Sequence, residues 1–326
     1  NNTIENNIGF AIHRAVVINN NIIRFNDNSV PIEDFSHLAE NIIHGGHIRE
    51  IKNNVIEENS SWNLLNAYWI DSLDMSNNVI NSNLSLSDLL VVSGSSISIT
   101  DNEINNNSNF PESNGGSPLY ITENGGSIIS NNQITHNTGH HDWGGGIYVG
   151  GTNGLEISNN IISYNQVSER GGGLLLSGYG MVTVQNNTIT YNQSEFSSAI
   201  EVGEYTDAHI QENIITNNIG EYAIWGSPTV LTQNNLFYNA NENNEIFHLR
   251  YTGVVDADCE DGTPCYEYNF WGTRSDQDII DPSIYDDEES DGDVGLVKFQ
   301  PILTGPSPLT PGQLSIVNNV FATQDS

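Results

Sequence analysis

The chain has 326 residues, with eight Lys plus Arg against 41 Asp plus Glu, for a formal net charge of −33. Such a field repels phosphate backbones and anionic bilayers, and no apolar run reaches the roughly 18 residues needed to span a membrane, which argues against nucleic-acid binding and membrane insertion. The second excess is Asn: 48 residues, many in pairs. Asn is a poor helix former and is depleted in ordinary strands, so another constraint must place it.

The chain opens directly on Asn1-Asn2-Thr3-Ile4, without the charged, apolar and cleavage regions of a leader peptide, and reads as a mature or trimmed piece of a longer protein. The unit Asn-Asn-x-Ile-x-x-Asn then returns along most of the sequence, at Asn20-Asn21, Asn53-Asn54, Asn77-Asn78, Asp101-Asn102, Asn131-Asn132, Asn159-Asn160, Asn186-Asn187, Glu212-Asn213 and Gln233-Asn234. The intervals between its fourth positions are 19, 33, 24, 24, 30, 28, 27, 26 and 21 residues, irregular in length but constant in chemistry. The apolar residues come in short period-two pieces separated by Gly or Asn, which are strands rather than amphipathic helices. One such unit cannot bury its apolar face alone, but stacking it on the next can. The expected fold is all-β, a right-handed parallel β-helix of about ten coils. Asn occupies its corners, where it tolerates a left-handed backbone, and its stacked amides form ladders from coil to coil. The 33-residue interval holds the one helical-looking stretch, 31–43.

With the Gly144-Gly145-Gly146-Ile147 and Gly171-Gly172-Gly173-Leu174 corners between its Asn motifs, the sequence resembles the right-handed parallel β-helix superfamily of pectate-lyase type. Its repeats are similar to those of secreted or surface-exposed members, and the resemblance speaks to fold rather than activity. Residues 1–250 are expected to form the coils and 251–302 a closing segment. Residues 303–326 are expected to be a linker or packed-down exit strand and the start of a further module. Cys259 and Cys265, six apart among turn formers, are expected to close a disulfide loop in an oxidising compartment, the alternative being two free thiols.

Strand alternation gives the functional reading. Aligning the apolar pairs that should face inward places Trp69, Val91, Tyr120, Tyr148, Leu175, Glu201, Trp225 and His248 in one outward column. Aromatic rings stack on pyranose faces while polar neighbours bind hydroxyls, so Trp69, Tyr120, Tyr148, Glu201, Trp225 and His248 are candidate glycan-binding residues. A one-residue slip would instead bury every ring. The preceding loops carry a rougher acidic column, Glu112, Asp142, Glu169, Glu195, Glu221 and Glu245. Paired carboxylates serve glycoside hydrolysis or Ca²⁺, or are simply solvated. The densest polar cluster, His140-His141-Asp142-Trp143 with Glu169 and Arg170 one coil on, makes His141, Asp142, Glu169 and Arg170 the catalytic candidates. Asp286, Asp287, Asp291 and Asp293 are candidate Ca²⁺ ligands, although their spacing is not that of a calcium loop, and no cofactor is required.

Three functions compete. The favoured one is an extracellular or cell-surface structural or adhesive module that binds a glycan or neighbouring chains. The first alternative is a polysaccharide hydrolase or lyase, weakened for lyases by having only Lys52, Lys298 and six Arg to neutralise a uronate. The second is a passive solenoid spacer, which leaves the aromatic column unexplained.

Overall fold

The computed structural model describes residues 2–6, 12–13, 17–24, 43–44, 48–110, 116–123, 125–140, 143–151, 153–240, 248–250, 252, 266, 268–271, 284–285, 303 and 306–311. Each coil contributes three principal strands, as in Leu155–Ser158, Ile161–Ser163 and Leu174–Leu176. Strands in the position of Ile161–Ser163, directly after the Asn pair, form a ten-stranded sheet 1. Those leading into the pair form a nine-stranded sheet 2, and the third set an eleven-stranded sheet 3. Neighbouring strands pair in parallel with their equivalents one coil away, as in Ile134↔Ile162↔Ile189. No helix occurs among the described residues; of the helical-looking stretch 31–43, residues 31–42 lie outside them and Ile43 instead opens the strand Ile43–His44.

The core follows from register. Each motif Ile stacks on the next, from Ile23 through Ile56, Ile80, Ile104, Ile134, Ile162 and Ile189 to Ile215, all buried. Sheet 2 adds a column from Ile18 to Leu231, and sheet 3 two more per coil, such as Ile147 with Val149 and Leu174 with Leu176. Burying one such side chain contributes about 1.5–3 kcal/mol, so the cylinder is held by repetition of a single contact.

The two residues of the Asn pair divide the corner between them. The first takes the left-handed backbone, with φ 57° at Asn159, and other residues stand there at Asp101, Glu212, Gln233 and Tyr268. The second remains Asn in every described coil and is buried from Asn21 onward. Asn160 Nδ2 donates to Ile129 O at 2.8 Å and to Asn187 Oδ1 at 3.0 Å, while its Oδ1 accepts Asn132 Nδ2 at 3.0 Å and Asn132 N at 2.9 Å. This ladder runs from Asn2 to Asn269, past residue 250 and into the segment expected to close the coils. A second ladder, from Asn59 to Asn239, closes the other end of the same three-residue strand, again preceded by a left-handed residue such as Tyr164 or Tyr191. Residues 306–311 lie against the C-terminal end of sheet 1, where Ser307 N donates to Asn235 Oδ1 and Asn235 Nδ2 to Thr310 Oγ1, both at 2.7 Å.

The ladder and corner positions predict opposite tolerances. Asn160→Ala strands buried donors on Asn132 and the carbonyl of Ile129, and should cost roughly 2–4 kcal/mol in urea denaturation. Asn159→Gly keeps the left-handed corner and should stay within about 0.5 kcal/mol of the parent.

Candidate functional site

Sheet 3 carries an outward column in strict register: Asn66, Val91, Tyr120, Tyr148, Leu175, Glu201, Trp225 and Arg250. Two expected members are displaced. The strand Leu65–Ile70 contains one residue more than its neighbour between the Ala67↔Val92 and Ile70↔Gly94 pairs, and this bulge ejects Trp69, 85% exposed at φ 55°, leaving Asn66 in the column. His248 sits two residues before the column position, which Arg250 takes opposite Trp225. The His248 carbonyl accepts Ile224 N at 3.0 Å, its ring is buried 5.6 Å from Trp271, and Arg250 faces outward instead. Tyr120, Tyr148 and Trp225 are half-buried, while Leu175 and Glu201 are recessed between them.

The loops before the strands complete a cleft of about 390 Å³, lined by Trp143, Tyr148, Glu169, Arg170, Leu175, Ser177 and Glu201. Bridges Trp143↔Arg170 and Arg170↔Ser197 align these loops coil upon coil. The Trp143 ring meets Tyr148 edge-on at 6.1 Å and 77°, and Tyr120 tilts against Tyr148 at 4.8 Å. Glu201 is fully engaged: Oε1 accepts Arg170 Nη1 at 3.0 Å and Oε2 accepts Ser197 Oγ at 2.6 Å. Arg170 also lies 5.7 Å from the Phe196 and Trp225 rings, and Arg250 stacks 4.1 Å over Trp225. Trp225 is thus packed among guanidinium groups and the edges of Phe196 and Tyr222 rather than open to a ligand.

A family model described as a right-handed β-helix region matches residues 49–237 and again 145–261, more than half of the chain. The chain belongs to the right-handed β-helix family. Neither a curated protein nor a solved structure matches it.

Of the catalytic candidates, the β-helix brings Glu169 and Arg170 together in the cleft, and His141 and Asp142 lie outside the described residues. The acidic column is divided rather than continuous, since only Glu169 of its described members lines the cleft. Glu195 and Glu221 line a separate concave strip of about 570 Å³ with Gln166, Gln193 and Ile219. Glu112, Glu245, Cys259, Cys265, Asp286, Asp287, Asp291 and Asp293 fall outside the described residues. Among the described residues no group of three or more His, Cys, Asp or Glu is placed to hold a metal.

Asp88 was not foreseen. Its Oδ1 accepts Ser117 N at 2.8 Å, burial pushes its carboxyl up, and burial likewise raises the hydroxyls of Tyr120 and Tyr148, the Asp88 charge adding a smaller push. Nothing in Ser87-Asp88-Leu89 marks it, since its surroundings come from loops one and two coils away. A second aromatic series, His136–Tyr164–Tyr191, was also missed. Its rings stack at 4.7 and 4.8 Å on consecutive left-handed corners, so the central ring has both faces occupied and the series braces the corner.

Burial lowers the pKa of His248 from 6.5 to about 4. Between those values the unfolded chain binds the proton and the folded chain does not, so this contribution to stability is complete above the unfolded value and is lost as pH falls towards the folded one. The loss should approach the order of 3 kcal/mol. Urea denaturation at about pH 7 and about pH 4.5 should show a smaller acid-induced loss in His248→Gln than in the parent.

Proposed function

We propose that the right-handed β-helix is an extracellular or cell-surface structural or adhesive module that binds a neutral glycan in the sheet 3 cleft. The observation that carries this reading is the juxtaposition of the Trp143 and Tyr148 rings, at right angles, with the apolar floor of Leu175 and the polar rim of Glu169, Arg170, Ser177 and Glu201. Rings offer apolar faces to a pyranose, and acceptors and donors beside them fix its hydroxyls. A net charge of −33 favours a neutral, hydroxyl-rich partner over a uronate polymer. Arg170 does not change that preference, because its guanidinium is held by Glu201.

A hydrolase is the second reading, supported by the two carboxylates Glu169 and Glu201 in one cleft. Against it, both oxygens of Glu201 are engaged by Arg170 and Ser197, an arrangement suited to holding the loop against the sheet rather than to proton transfer.

A neutral-glycan panel screened for binding, with reducing-end and unsaturated-product assays run in parallel, tests both. Retention without product release is expected, and Trp143→Ala or Tyr148→Ala should each weaken binding by roughly tenfold. Absence of any retained glycan refutes the binding reading, and product release that Glu169→Ala abolishes selects the hydrolase.

A further inference from the structure

Two residues along the chain from the margin of the cleft stands a feature that its lining does not include. Following the strand Leu174–Leu176, Leu175 forms the floor, Ser177 lines the margin, and the chain turns at 178–180. Tyr179 stands on this turn, 75% exposed, with its ring stacked at 5.1 Å and 19° on Tyr205 of the next coil, itself 64% exposed. Among the described residues no other stacked pair of rings is so open to solvent.

These rings differ in kind from the His136–Tyr164–Tyr191 series. Neither tyrosine sits at a left-handed corner that needs bracing, and in a stack of two each ring keeps one face open. Their support is rigid rather than loose. Gly178 N donates to Thr206 Oγ1 at 3.2 Å, and the same hydroxyl lies 3.0 Å from Gly178 O and 3.2 Å from Leu176 O as donor. Gly203 N donates to Leu176 O at 2.7 Å, and Thr206 N to Gly203 O at 3.1 Å. Gly178 lies so close over Gly151 that a Cβ would come within 2.6 Å of the Gly151 Cα, while a Cβ on Gly151 itself would meet nothing within 4 Å. The turns therefore hold two large apolar faces in water, pre-positioned, with a side-chain-free corner one coil away. Exposing such faces forgoes burial that any smaller polar residue would not need, and holding them still lowers the entropic cost of binding.

We infer that Tyr179 and Tyr205 form a distal stacking subsite for the glycan that occupies the cleft, so that the ligand is a chain running across the coils from Trp143 over Leu175 to the tyrosine pair. This rests on the glycan reading of the cleft and adds the ligand's length and direction. The four residue steps from Leu175 to Tyr179 reach at most roughly 13 Å, a distance that a disaccharide seated at Trp143 and Tyr148 leaves uncovered and a longer chain bridges. Exposed Glu204 and Asp207, next to the second ring and one residue beyond its support, offer acceptors to hydroxyls, in keeping with an uncharged chain.

The test is calorimetric titration of the full chain with disaccharides, tetrasaccharides and hexasaccharides of the cello, xylo and manno series. In the parent, the hexasaccharide of a bound series should bind roughly three- to tenfold tighter than its disaccharide. The gain should vanish in Tyr179→Ala/Tyr205→Ala, persist in Tyr179→Phe/Tyr205→Phe, and leave disaccharide affinity unchanged in both. Because both rings are exposed, the thermal midpoint of each variant should match the parent's. Length-independent binding, or a gain that survives the double Ala variant, overturns the distal subsite while leaving the cleft intact. Failure of every oligosaccharide to bind overturns the cleft reading and this inference with it.

Discussion

A primary amide brings two donors and two acceptor lone pairs, and burying it costs several kcal/mol unless they are used. At Asn160 and Asn165 they are all used, and every bond crosses between coils: the oxygen accepts the amide and the backbone N–H of the preceding ladder Asn, and the two donors reach a backbone carbonyl of the preceding coil and the amide of the next. Such closure exists at only one axial offset. A coil displaced by one residue would leave a column of amides unsatisfied as well as turning its isoleucines outward. Two ladders, at the two ends of the three-residue strand of sheet 1, therefore fix the register of that strand, and the rest of each coil hangs from it. This is why intervals as different as 19 and 33 residues are tolerated: length is added where the chain leaves the ladder, and the first ladder resumes in phase from Asn2 through Asn21 to Asn54.

Sheet 3 lies farthest from that constraint along the chain, between the second ladder of one coil and the first ladder of the next. Its approach loops are free to carry Trp143, Glu169, Arg170 and Phe196, and its strands admit a bulge at Trp69 without loss of the ladders. The cleft is accordingly built where the solenoid is least obliged to repeat. Aromatic residues serve two purposes in this architecture. On the left-handed corners, Tyr164 and Tyr191 lie ring on ring and offset the strain of bulky side chains at positive φ. On sheet 3 and its exit turns they stand at angles or in pairs that leave faces open.

What was legible in the sequence tracks the same division. Ile after each Asn pair faces inward and the second Asn is always ladder, because these positions recur in fixed relation and every copy repeats the evidence. The inward pairs of sheet 3, such as Ile147 with Val149, were equally legible, and with them the placement of Tyr120, Tyr148, Glu201 and Trp225. Alignment by apolar pairs failed where an extra residue entered, at Trp69, and at the last coil, where Leu249 is the first member of the inward pair rather than the second. In the approach loops there is no alternation to follow, so no pattern showed that Glu169 lines the cleft while Glu195 and Glu221 line a separate strip. Asp88 with its Ser117 partner and the pairing of Glu201 with Arg170 depend on contacts between coils, which no local pattern encodes.

The charge of the chain bears on the site through its rarest residues. With eight cations in all, two of them, Arg170 and Arg250, lie against the same Trp225 ring, and Arg170 is further tied to Glu201. A guanidinium that stacks on an indole and pairs with a recessed carboxylate is largely neutralised within the fold, its planar fork spent on an internal partner. It organises the cleft wall without presenting a net positive charge to an incoming anion, while exposed carboxylates elsewhere keep the surrounding potential negative. Trp225, the ring that composition alone would have marked as the best platform, is for the same reason the least available. Recognition shifts to the Trp143 and Tyr148 side, where hydroxyl-rich, uncharged surface meets open aromatic faces and acceptors that are not already spent.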